Sequence, residues 1–87
     1  MKVLFHRNFE KEYTKLRIAE KNKLKERIAV FTVNPFDPVL GNHPLKGKYQ
    51  GYRSINVGGD LRAMYKLAGE DVYLFAAIGT HAKLCKS

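Results

Sequence analysis

A single cysteine, Cys85, stands in the whole sequence, so no intramolecular disulfide can close. That excludes a disulfide-stapled secreted scaffold and fits a reducing compartment. Three histidines, His6, His43 and His81, show no short metal-ligand spacing, and one thiol cannot support a usual zinc site. No metal or other cofactor is expected. Long hydrophobic runs are missing too: Met1 to Arg7 offers one lysine and then Val3, Leu4 and Phe5, too short for a signal peptide or a membrane span. A cytoplasmic protein without a membrane partner is the expectation. Gly47, Gly51, Gly58 and Gly59 lack the spacing of a phosphate loop or dinucleotide fingerprint and read as turn glycines. Acidic residues are scarce. Eight Asp and Glu face sixteen Lys and Arg, a formal charge of +8 on 87 residues, and such an excess favours polyanions as partners. A solvated basic surface or a dock for an acidic protein would share that composition.

The length fits one domain spanning residues 1–87, with no repeat, low-complexity segment or linker. Val3 to Phe5 reads as a short opening strand, and Asn8 as the N-cap of a helix carrying Phe9, Tyr13 and Leu16 on one face. That helix should end near Ala19 or Glu20. After a turn around Lys21 to Lys23, Leu24, Ile28 and Phe31 repeat the pattern, which predicts a helical hairpin. Asn34-Pro35 and Asp37-Pro38 stop helical structure, and an irregular stretch runs to about Gly51. From Tyr52 the period falls to two. Ile55 and Val57 alternate with Ser54 and Asn56; after a turn at Gly58 to Asp60, Leu61, Ala63, Tyr65 and Leu67 alternate with Arg62, Met64 and Lys66. Val72 to Ile78 is apolar on both faces, as in an interior strand. The expected fold is α+β, in the order β-α-α-β-β-β: an antiparallel sheet with the helical hairpin packed on one face and the opposite face left for function.

On that free face, Lys46, Lys48, Arg53 and Arg62 could cradle a phosphate and oppose negative charge building on phosphorus. They would equally serve as ordinary sheet-face cations. His43, Asp60 and His81 could converge on one edge of the sheet as acid, base and orienting carboxylate for RNA cleavage without metal. Tyr52 or Tyr65 could stack on a base. A Cys85–His81 nucleophile pair lacks an oxyanion hole and a third orienting group.

His43-Pro44-Leu45-Lys46-Gly47, Gly51-Tyr52-Arg53-Ser54, Asp60 to Leu67 and Gly79-Thr80-His81 form an ordered series. Together they resemble the RelE/ParE toxin superfamily, and the His-Pro-Leu entry and Gly-Thr-His ending its YafQ-type mRNA interferase branch. The resemblance spans essentially the whole chain. It implies a type II toxin acting as an endoribonuclease on mRNA in the ribosomal A site, inhibiting translation, and silenced by a cognate antitoxin whose acidic segments complement this charge. It further implies that His43 and His81 are catalytic, that Asp60 is an acidic residue placed just before the third strand, that Arg62 stands where RelE-like members carry a catalytic arginine on that strand, and that Arg53 stands where they carry a basic residue on the preceding one. The chain departs from the branch at Asn56, where a further histidine is common, at Ala76 or Ala77, where the last strand often has an arginine, and at Cys85, where an aromatic is usual. Arg62 or Arg53 would then have to supply the missing phosphate contact. A gyrase-binding toxin of the same fold, without nuclease chemistry, is the alternative the resemblance leaves open.

Overall fold

The computed structural model describes residues 1–80 and residue 82. Among these, the elements run β1 (Lys2–Phe5), α1 (Arg7–Thr14), α2 (Ile18–Val33), β2 (His43–Pro44), β3 (Arg53–Gly58), β4 (Leu61–Gly69) and β5 (Val72–Thr80). Single 3-10 turns at Pro38–Leu40 and Gly47–Tyr49 interrupt the segment expected to be irregular. All five strands join one sheet in the order β1-β5-β4-β3-β2.

The α+β class and the antiparallel meander β3-β4-β5 are as the periodicity implies. β1 adds to β5 in parallel, with Lys2 opposite Val72 and Phe5 opposite Phe75, so the sheet as a whole is mixed. Parallel neighbours need a long crossover, and the two helices and the meander supply it. β5, apolar on both faces, is interior, between β1 and β4.

The helix boundaries shift from the expected ones. His6, not Asn8, caps α1: its Nδ1 accepts the Asn8 backbone N–H at 3.0 Å, leaving the Asn8 side chain free to donate to Glu12 Oε1 at 3.2 Å. The break between the helices falls at residues 15–17 rather than at Lys21 to Lys23. The cause is Glu20, whose Oε1 accepts the Arg17 N–H at 2.9 Å and so fixes Arg17 as the cap of α2. That bond also holds the Glu20 carboxyl below the usual carboxylate range, with the Arg17 side chain adding to the effect.

The main core lies between the helices and one face of the sheet. Phe9, Leu24, Phe31, Leu40, Ile55, Val57, Ala63, Tyr65, Phe75 and Ile78 are buried there. Phe31 meets Tyr65, Phe75 and Tyr73 edge-on, with ring centroids 4.8, 5.2 and 5.4 Å away; each such large side chain contributes about 1.5–3 kcal/mol by burial. The opposite face is not bare. Leu45, Met64 and Ala77 form a second, smaller cluster covered by Tyr49, Tyr52 and Ala76, so the loop after β2 folds over part of it. Among the described residues, no helix is long and apolar enough to cross a membrane.

Candidate active site

The face away from the helices is read directly from the register. His43 pairs with Ser54, Ser54 with Met64, and Met64 with Ala77, so one row crosses β2 to β5. The next row on the same face joins Asn56, Arg62 and Gly79. Directly paired residues share a face, which places His43, Ser54, Asn56 and Arg62 on one surface. His43 and Arg62 are separated by two strand spacings and two residues, ~10 Å across and ~7 Å along the sheet.

Asp60 is exposed in the β3–β4 turn and precedes Leu61, whose partner is Thr80 at the end of β5. It therefore lies at the same end of the sheet as Gly79. His81 lies outside the described residues, as does Cys85. Lys46 and Lys48 are exposed on the loop beyond β2, with Lys48 Nζ 5.2 Å from the Tyr49 ring centre. Tyr52 is half-buried on this side, beneath Lys66 Nζ at 5.3 Å.

Two expected site residues do not join this group. Arg53 pairs with Tyr65 and alternates with Ser54, so it faces the helix side. Its Nε donates to Asn42 Oδ1 at 2.7 Å, and its guanidinium sits 5.2 Å from the Phe36 ring centre. The four-cation cradle is thus divided between two faces. Tyr65 is 2% exposed, packed against Phe31 and Phe75, and cannot stack on a base. Burial pushes its phenol above the ordinary range, against smaller opposing effects from Asn42 and Arg53.

The His43 ring is oriented by its own backbone. Nδ1 lies 3.0 Å from Gly41 O. A carbonyl only accepts, so the contact is a hydrogen bond in the tautomer that carries its proton on Nδ1, the form in which Nε2 holds the lone pair. Ser54 Oγ, Asn56 Oδ1 and Arg62 Nη1 on this face, and Arg27 Nε in α2, are buried without a hydrogen-bond partner among the described residues. Strict alternation places Ser54, like Asn56, on the Arg62 face, but Ser54 is fully buried there. Asn42 was overlooked in the sequence; its signal was a Gly-Asn turn directly before His43.

Arg62 lies diagonal to Ala77 on the same face, ~7–8 Å away, whereas Arg53 is on the other side.

Comparison with known proteins identifies the family. Residues 1–86 match the family of YafQ, bacterial toxins of type II toxin–antitoxin systems. The chain belongs to the YafQ toxin family. It is 36% identical over 81 residues to the mRNA interferase toxin YafQ of Escherichia coli strain K12, covering 84% of this chain and 87% of that protein. The crystal structure of YafQ from E. coli BL21(DE3) superimposes with a TM-score of 0.77 at 30% identity, over 94% of each chain. A structure of the E. coli DinJ–YafQ toxin–antitoxin complex matches with a TM-score of 0.75 at 30% identity, covering 94% of this chain and 93% of that one.

Proposed function

We propose that this YafQ-family toxin is an endoribonuclease that cleaves mRNA on the ribosome by side-chain acid–base chemistry, and so inhibits translation. The observation that carries the reading is the His43 ring, with Nδ1 3.0 Å from Gly41 O, on the same sheet face as Arg62. It is supported by the likeness to proteins named mRNA interferase toxins.

His43 Nε2 takes the proton of a ribose 2′-hydroxyl, and the oxygen attacks the adjacent phosphorus. The guanidinium of Arg62, half-buried on this face, opposes the charge that gathers on the phosphoryl oxygens. The bond to the departing 5′-oxygen breaks as a general acid protonates it, leaving a 2′,3′-cyclic phosphate and a 5′-hydroxyl. His81, the second imidazole of the pair, takes the acid role, and Asp60 orients or tunes it. Lys46 and Lys48 hold flanking phosphates, with Tyr52 against a base.

The partner that silences the toxin is a cognate antitoxin with acidic segments. Support comes from the DinJ–YafQ complex and from an apolar groove of about 460 Å³ between β1 and the helices, lined by Phe5, Phe9, Tyr13, Leu24 and Ile28 together with the charged Glu10 and Lys25. The groove suits an amphipathic helix.

The test is to incubate the protein with mRNA on ribosomes, and separately with gyrase in a supercoiling assay. Cleavage that His43→Ala abolishes, with gyrase unaffected, is the expected result. Inhibition of gyrase without cleavage would overturn the reading in favour of the protein-binding toxin.

A further inference from the structure

We propose that Asn42 is a positioning residue: a cross-sheet network built on its amide, Tyr65 and Arg53 holds the peptide that fixes the His43 ring. The inference rests on His43 being the base, but the network is read independently of it.

Asn42 is partly buried and uses its amide on both sides. Nδ2 donates to Tyr65 OH at 2.7 Å and to Pro35 O at 2.9 Å, and Oδ1 accepts from Arg53 Nε at 2.7 Å. Those partners come from β4, β3 and the loop after α2, so three separate pieces of chain meet on one side chain. Each partner is itself immobilised. Tyr65 is wedged among Phe31, Phe75 and Tyr73. Arg53 lies over Phe36, whose N–H is held by Asn34 Oδ1 at 3.1 Å. The phenol of Tyr65, pushed up by burial, stays protonated.

The consequence falls on the next residue. The Gly41 carbonyl that accepts from His43 Nδ1 belongs to the peptide joining Gly41 to Asn42. Gly41 sits in the left-handed region at φ 51°, with its N–H on Pro38 O at 3.2 Å. Fixing the Asn42 end leaves that peptide plane one orientation. The carbonyl then selects the Nδ1–H tautomer, and Nε2 is left as the base. β2 is only two residues long and pairs with β3 alone, too little by itself to hold an edge strand rigid. The network replaces the missing ladder. It also gives Arg53 and Tyr65 a role on the helix side that does not require them to touch RNA.

The test uses the full chain with ¹⁵N-labelled histidine and ribosome-bound mRNA as substrate, at a temperature where circular dichroism shows each variant folded. For Asn42→Ala, the His43 nitrogen shifts should move from the Nδ1–H pattern toward a tautomer mixture. kcat should fall ~10- to 100-fold with KM little changed, the effect of a misplaced catalytic group. Tyr65→Phe and Arg53→Met, each removing one bond, should shift both readouts in the same direction by less. Unchanged tautomer and kcat in Asn42→Ala would overturn the proposal. Should Asn42→Ala not fold, unchanged tautomer in both milder variants would overturn it equally. Full cleavage by His43→Gln would instead reject the base assignment, and the nitrogen shifts would still report on the network.

Discussion

Tyr65 and Arg62 are three residues apart on one strand, yet the pleat sends them to opposite sides of the sheet, and they have opposite work to do. Tyr65 is a core ring with a polar tip that finds Asn42, as buried tyrosines usually require. Because burial raises its pKa, the native state holds the phenolic proton more tightly than the unfolded chain does. The contribution is therefore complete below the ordinary tyrosine value of about 10 and is lost as pH rises beyond it. Thermal melts of the wild type should lose stability above about pH 10, and Tyr65→Phe should flatten that decline; parallel alkaline profiles would show that Tyr65 is not the group responsible. Arg62 has a buried Nη1 with no partner among the described residues, so the fold gains little from its charge. Replacing it with Met should lower RNA cleavage ~10²- to 10³-fold, the usual loss of one transition-state donor, with the melting temperature unchanged or raised. A large fall in melting temperature with cleavage intact would make Arg62 structural.

At the level of elements, the most consequential junction is where β1 stops. β1 pairs with β5 only as far as Phe5 and Phe75, and the side chains of α1 continue along the same edge. His6 N–H donates to Phe75 O at 2.9 Å, Asn8 Nδ2 reaches Ala76 O at 3.5 Å, and Glu12 Oε1 accepts the Ile78 N–H at 3.0 Å. β5 shifts register against β4 here, Met64 opposing Ala77 and Tyr65 opposing Phe75, so Ala76 is the extra residue of a bulge. Glu12 holds the strand just beyond it, before Gly79 and Thr80. Glu12→Ala should cost about 1–3 kcal/mol by leaving a part-buried N–H without its acceptor. Hydrogen exchange at Ile78 should accelerate; an unaltered rate would remove Glu12 from this role.

Much of this architecture was legible in the sequence. Phe9, Tyr13, Leu24, Ile28 and Phe31 announce two amphipathic helices, and the alternation from Ser54 to Lys66 announces a hairpin. Less legible was whatever depends on a single side-chain hydrogen bond: Glu20 moves the start of α2, and Asn42 orders a loop read as irregular. The period of two separates Arg53 from Ser54 and Tyr65 from Arg62, which puts both Arg53 and Tyr65 on the helix side.

The whole molecule divides its labour by face and edge. One side of the sheet is committed to the helices and the aromatic core. The other carries the row from His43 to Ala77 and the row from Asn56 to Gly79, on a chain with a formal charge of +8. A basic surface draws RNA in without selecting a bond to break; selection requires the aligned base, phosphate donors and acid. The groove beside β1 lies away from those rows, so a partner seated there leaves the polar face to be covered separately. Metal ions have no step in the proposed chemistry, and the attacking group is the substrate's own 2′-hydroxyl. The most direct measurement is therefore the chemical identity of the new 3′ end, determined on ribosome-bound mRNA cleaved by the wild-type protein in parallel with His43→Ala. The account predicts a 2′,3′-cyclic phosphate from the wild type, no product when the ribose at the cleavage point is 2′-deoxy, and little product of any kind from His43→Ala. A 3′-hydroxyl end, or equal cleavage of the 2′-deoxy substrate, would contradict it.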